Sequence, residues 1–200
     1  MSSEIKANTI SEVTSANGVT IDGVNVKDSA INTGAIGASV TGFSGIKNAD
    51  QWYMTANVTS DGDLTAWDSV TVDKPNSTGI GSAITEATGI FSFPQTGIYW
   101  IILTINISGY EGDNIVTKIR TTIDNGSNWV DATYLTDSGS PTGIENSGMH
   151  NYLFDVSSIT GGTTRKVKFS ATSLDSGSSI LGKSGDIPRT TATFIRLGDT

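Results

Sequence analysis

The stretch GIFSFPQTGIYWIILTINISG, residues 89 to 109, gathers four aromatic and seven Ile or Leu residues in a chain otherwise rich in Gly, Ser and Thr. Such a run is either a membrane segment or the buried spine of a β-structure. Its apolar part, Ile98 to Ile107, already contains Thr104 and Asn106, and it is half as long as the roughly 20 residues that a spanning helix needs. It cannot cross a membrane as a helix. Ile101, Leu103, Ile105 and Ile107 share one parity, while Ile102, Thr104, Asn106 and Ser108 share the other. A period of two is a strand with one oily face. Phe91-Ser92-Phe93 alternates in the same way ahead of Pro94-Gln95-Thr96-Gly97, so the stretch predicts two strands joined at a PQTG turn.

The rest of the chain points the same way. Apolar residues make up 36% of the 200, below the usual 45 to 50% that includes Gly. The 23 glycines largely close that gap, so a packed core is possible. Strand candidates recur at turn spacing with no amphipathic helix between them. They are DQWYMTANVTS, LTAWDSVTV, NIVTKIRTTIDNGSNWVDATYL, HNYLFDVSSI, TRKVKFSATSL and TTATFIRLG. In the third, Ile115, Thr117, Ile119, Thr121 and Ile123 share one face before a turn at Asn125-Gly126. Many short strands with turn signals predict an all-β sandwich or jelly roll.

A net charge of −8 opposes binding to a phosphate backbone, which needs a cationic footprint, so no nucleic-acid partner is expected. The chain has no Cys, hence no disulfide and no thiolate-held metal. The opening MSSEIKANTISE has neither a basic n-region nor an apolar h-region, so neither a secretory leader nor membrane insertion is expected.

Composition divides the chain. Residues 33–49, including TGAIGASVTGFSGIK, form a connector rich in Gly, Ala, Ser and Thr. Before it, residues 1–32 form an extended β arm with very short strand candidates at Val19-Thr20-Ile21 and Val24-Asn25-Val26, punctuated by Asn17-Gly18 and Asp22-Gly23. The arm has too little apolar surface for a core of its own. Its apolar residues, Ile5, Ile10, Val13, Val19, Ile21, Val24 and Val26, are candidates for docking onto a partner. A polar tail is the alternative reading of the same residues.

Within residues 50–200, ITEATGIFSFPQTGIYWIILTI resembles the signature of C1q/tumour-necrosis-factor-like jelly-roll domains, carried by Phe91, Phe93, Pro94, Gly97, Tyr99 and Trp100. The closing TTATFIRLGD, with Phe194, Ile195 and Leu197, is similar to the last strand of such domains. The resemblance implies a ten-stranded sandwich assembled as a tight homotrimer, used for binding or display and not catalysis. Phe91, Phe93, Tyr99, Trp100, Ile102 and Phe194 are the expected core or trimer-interface residues. Separately, IKANTISEVTSANGVTIDGVNVKDSAI, residues 5 to 31, resembles a segment of tailed-bacteriophage tail-fibre and appendage proteins, with Ser29 where a Gly often follows Lys-Asp.

The constellations that carry chemistry are weak. His150 is the sole histidine and sits in SGMHNY without a nucleophile motif, so it reads as a surface or loop residue and no enzyme is expected. Glu86, Asp113, Asp124, Asp131, Asp137, Glu145 and Asp155 fall in turns or on polar strand faces. Asp61-Gly62-Asp63 offers hard oxygen donors for a structural calcium ion but lacks the EF-hand continuation, so turns are the favoured reading and no cofactor is expected. Of Trp52, Trp67, Trp100 and Trp129, the last, after Asn125-Gly126-Ser127-Asn128, is the candidate glycan contact.

These readings converge on a non-enzymatic virion protein assembled in a host cytoplasm. It would be a trimeric short fibre or appendage, anchored to other virion proteins by residues 1–32 and displaying a jelly-roll head to host-surface glycan. A capsid decoration protein and a C1q-like extracellular lectin are the alternatives.

Overall fold

The computed structural model describes residues 45–70, 79–109, 112–138, 144–175 and 177–200, together with the backbone of 19–21, 24–27 and 30–31. The chain divides into two units, Met1–Gly45 and Ile46–Thr200. In the first, β1 (Val19–Ile21), β2 (Val24–Lys27) and β3 (Ala30–Ile31) form a three-stranded antiparallel sheet, with Val19 opposite Val26 and Val26 opposite Ile31. Val19, Ile21, Val24 and Val26 are thus strand residues, whereas Ile5, Ile10 and Val13 lie outside the described residues.

The second unit is a sandwich of two six-stranded sheets. One contains β4 (Asn48–Met54), β6 (Trp67–Ser69), β9 (Gly97–Ser108), β12 (Glu145–Val156) and β15 (Thr191–Gly198), in the order β12-β9-β15-β4-β6, with β14 (Ser179–Ile180) also pairing β9. The other contains β7 (Thr85–Ala87), β8 (Ile90–Ser92), β10 (Asn114–Thr122), β11 (Val130–Ser138) and β13 (Lys166–Thr172), in the order β11-β10-β13-β8-β7, with β5 (Gly62–Asp63) also pairing β13. Every pairing is antiparallel. Setting aside the two-residue strands β5 and β14, ten strands remain among the described residues, the number that the jelly-roll resemblance implies.

The opening stretch spans both sheets. β8 pairs with β13 in one, and β9 pairs with β12 and β15 in the other, so Pro94-Gln95-Thr96-Gly97 carries the chain across the sandwich and does not close a hairpin. Ile101, Leu103, Ile105 and Ile107 are all buried, as the period of two requires. Phe91 holds the centre. Its ring centroid lies 5.1 to 5.6 Å from those of Trp52, Trp67, Phe169 and Phe194, which come from both sheets. Phe93, Tyr99 and Phe154 extend the cluster towards β12. Edge-on and tilted contacts of this kind add to the gain from burial alone.

Several expectations shift. β4 begins at Asn48, so the last residues of the composition-defined connector belong to a strand, and Gly62-Asp63 of the expected acidic turn forms β5. Ile123, which alternation groups with Ile115 and Ile119, lies beyond the end of β10 and is 62% exposed, whereas those two are buried. The chain turns there through Asn125 and Gly126, both at positive φ, as an Asn-Gly pair permits. His150, expected in a loop or on the surface, stands within β12 and is 7% exposed. It shares the inward parity of Tyr152, Phe154 and Val156, because the strand starts five residues earlier than the apolar pattern shows.

Phe91→Ala should remove the shared contact of four rings and lower stability by about 3–5 kcal/mol. Urea denaturation read by tryptophan fluorescence measures it, with the exposed Ile123→Ala as the near-neutral control.

Candidate interaction face

The outward faces of the two sheets differ in chemistry. On the β12-β9-β15-β4 sheet, the register sets Leu153, Trp100, Ile195 and Ala49 in one row and Asn151, Ile102, Thr193 and Gln51 in the next. A third row runs Met149, Thr104, Thr191 and Tyr53. None of these residues is charged; charge begins at the borders, where Asp68 of β6 continues the third row beyond Tyr53 and Asp155 follows Leu153 on the exposed parity of β12. Trp100 is 37% exposed, Leu153 57% and Met149 60%. Tyr53 shares this parity but is buried, with the Lys183 ammonium 5.6 Å from its ring, so the loop after β14 closes that end of the face.

The β11-β10-β13 sheet turns charge to solvent. Lys118 donates to Asp131 at 2.8 Å, Arg120 donates to the other Asp131 oxygen at 2.8 Å, and Lys168 donates to Asp63 at 2.7 Å. Lys118 and Arg120, with their hydrogen bonds, hold the Asp131 carboxyl below the usual carboxylate range. Lys168 is itself largely buried, whereas the exposed Lys118 and Arg120 pairs with Asp131 keep the surface wet and add little stability. An uncharged tract with a large aromatic at its middle and carboxylates only at its borders has the composition of an interface core with a polar rim.

Each sequence-predicted site residue can now be placed. Phe91, Phe93, Tyr99 and Phe194 are core, whereas Trp100 and Ile102 lie on the uncharged face. Trp129 is half-buried and lies under the Lys168 ammonium, 4.6 Å from its ring centroid, so one face of the candidate sugar platform is already occupied. The loop before it is tied internally: Asp124 accepts from Thr122 Oγ1 at 2.7 Å and from Asn128 N and Nδ2 at 2.9 and 2.6 Å, which lowers its pKa to about 2. Asp61 accepts the Leu174 N–H and Asp63 the Lys168 ammonium. Among the described residues no group of three or more His, Asp or Glu is placed to hold a metal ion.

The strand order, the ten principal strands and the two unlike faces can be compared with known structures. Eiger TNF from S. frugiperda superposes with a TM-score of 0.54 at 16% identity, covering 76% of this chain and 93% of that one. Murine APRIL at pH 5.0 superposes with a TM-score of 0.54 at 11% identity, covering 75% and 98%. The sandwich is a TNF-like jelly roll. No protein-family model and no curated protein sequence matches the chain. At such low identity the likeness shows the fold and assigns no activity.

His150 is the site residue that sequence reasoning misplaced. Its Nε2 lies 3.4 Å from Thr117 Oγ1 of the facing sheet, its Nδ1 has no hydrogen-bond partner, and burial lowers its pKa from 6.5 to about 4. The folded state therefore favours neutral imidazole. Its contribution is complete above about pH 6.5 and is lost as pH falls through about 4. Thermal melts should show Tm falling over that window, and His150→Gln should flatten this part of the profile. Parallel profiles for the two proteins would show that His150 is not the source.

Proposed function

We propose that this chain is a non-enzymatic, homotrimeric structural protein of a tailed-phage particle. Residues 1–32 anchor it to other virion proteins, and the sandwich is the displayed head. The observation that carries the assembly is the uncharged face around Trp100. Apolar residues of both parities occupy β9, and one sandwich core can bury only one of them. A second and third copy would cover Trp100, Ile102, Leu153 and Met149, as exposed apolar patches of this kind require. The charged face of the other sheet would then point outward in each copy.

The virion role is supported by the resemblance of residues 5 to 31 to phage appendage segments and by the separate unit that contains them. The non-enzymatic reading is supported by the sole histidine, which is buried in the core with its ring against the Thr117 hydroxyl of the facing sheet.

Light scattering should give about three times the 20.9 kDa chain mass. Trp100→Glu with Leu153→Glu should give a folded monomer, since each charge would have to be desolvated in the interface. A wild-type monomer would overturn the trimer. If particles made with a chain lacking residues 1–32 still carried the protein, the anchoring role would be wrong.

A further inference from the structure

A cavity of about 380 Å³ lies beside β4, with Asp50, Trp52, Ser69, Ile80, Ala83 and Ile84 among its walls. That volume is at the lower end of small-molecule sites, about 300–1,000 Å³. Asp50 is the one charged side chain on its described walls. Asp50 is 8% exposed, and its carboxylate is held in place by the chain itself. Oδ1 accepts the Gln51 N–H at 2.9 Å, and Oδ2 accepts the Ile84 N–H at 3.0 Å. Burial raises its pKa, and these two N–H groups and the Trp52 indole oppose the rise. A carboxylate offers about four acceptor positions, so capacity remains on both oxygens.

The inner row of β4, Asn48, Asp50 and Trp52, is also where unmet hydrogen bonding gathers. Three buried side-chain polar atoms among the described residues have no partner: Asn48 Oδ1, Trp52 Nε1 and His150 Nδ1. Two of the three flank Asp50 on this strand. The Trp52 indole lies near enough to favour the Asp50 charge, yet it makes no hydrogen bond of ordinary geometry. Native structures rarely leave such a donor unmatched, and each case calls for an explanation.

An acceptor with spare capacity beside apolar walls selects the ligand. An ammonium group would satisfy Asp50 and leave those walls uncovered. A sugar meets both, its hydroxyls donating to the carboxylate and its C–H face lying on the apolar side chains. The half-buried Trp52 ring, Ile80 and Ile84 add apolar wall, which suits the C–H face of a sugar ring. We infer that the Asp50–Trp52 cavity is a binding site for a single pyranose unit, with Asp50 accepting from its hydroxyls and Trp52 packing on its apolar face. This gives the displayed head a ligand class and rests on reading the sandwich as a surface-contact module. It also moves the sugar contact from Trp129, whose ring Lys168 covers.

The test titrates the full chain with methyl glycosides of glucose, galactose, mannose and N-acetylglucosamine to tens of millimolar, with cadaverine as the cationic control. The readout is the set of indole N–H resonances, assigned by Trp→Phe variants. At least one glycoside should shift the Trp52 resonance and leave Trp129 in place. Ala83→Phe fills the cavity from an exposed position, and Asp50→Asn removes the charge. Each should weaken binding about tenfold or more; if Asp50→Asn unfolds the protein, Ala83→Phe decides alone. No glycoside shift, a shift with cadaverine only, or unchanged affinity in a folded Ala83→Phe protein overturns the site. Molar mass is measured on the same samples. A trimer that binds no glycoside overturns the site and leaves the assembly standing, whereas a monomer that binds one overturns the assembly alone.

Discussion

The structure depends on the contact of rings around Phe91. Phe91 and Phe169 come from one sheet, and Trp52, Trp67 and Phe194 come from the other, so this cluster is where the two layers are held to a single spacing. Antiparallel sheets of short strands have little intrinsic preference for one partner surface, and side-chain interdigitation supplies it. All five strands involved, β4, β6, β8, β13 and β15, are eight residues long or shorter. Main-chain pairing alone would leave such strands marginal. The buried Trp67 also donates its indole N–H to the Leu64 carbonyl at 2.7 Å, which fixes ring and chain together.

With the core set by those rings, the two outward faces are free to differ. One carries a lattice of Lys, Arg and Asp, and the other a tract without charge around Trp100. Both are built from strands of similar register, so the difference lies in side chains and not in backbone. A solvated sheet needs charge for solubility, whereas a sheet that meets another copy cannot leave charge unpaired. The proposed trimer follows from that asymmetry, and the TNF-like order of strands places the uncharged tract on one continuous face.

The core is not wholly apolar. Asn48, Asp50, His150 and Arg196 are all buried. Arg196 donates Nε to the Thr96 carbonyl at 2.8 Å and pairs with Asp199, which ties the last strand to the PQTG crossing. Asp50 ties β4 to Ile84, just before β7. Such groups are costly to bury unless paired. Arg196 and Asp50 therefore mark joints where the chain passes between sheets, and at Asp50 the joint also borders a cavity.

The sequence by itself determined the class of fold. The alternation of Ile101, Leu103, Ile105 and Ile107 is a local property of the strand, legible because side-chain period is set by backbone geometry alone. The Phe-Pro-Gly-aromatic pattern carried the jelly-roll resemblance for the same reason, since it records a strand, a turn and a strand in order. Only tertiary structure decided what lies across from what. That PQTG crosses between sheets, that His150 faces the core and that Trp129 lies under Lys168 depend on contacts between residues distant in sequence. The Asp50–Trp52 cavity is of the same kind, because its walls come from β4, β6 and residues 79–84. A single sequence encodes period, but the partner of each face is fixed only when the sheets close around one core.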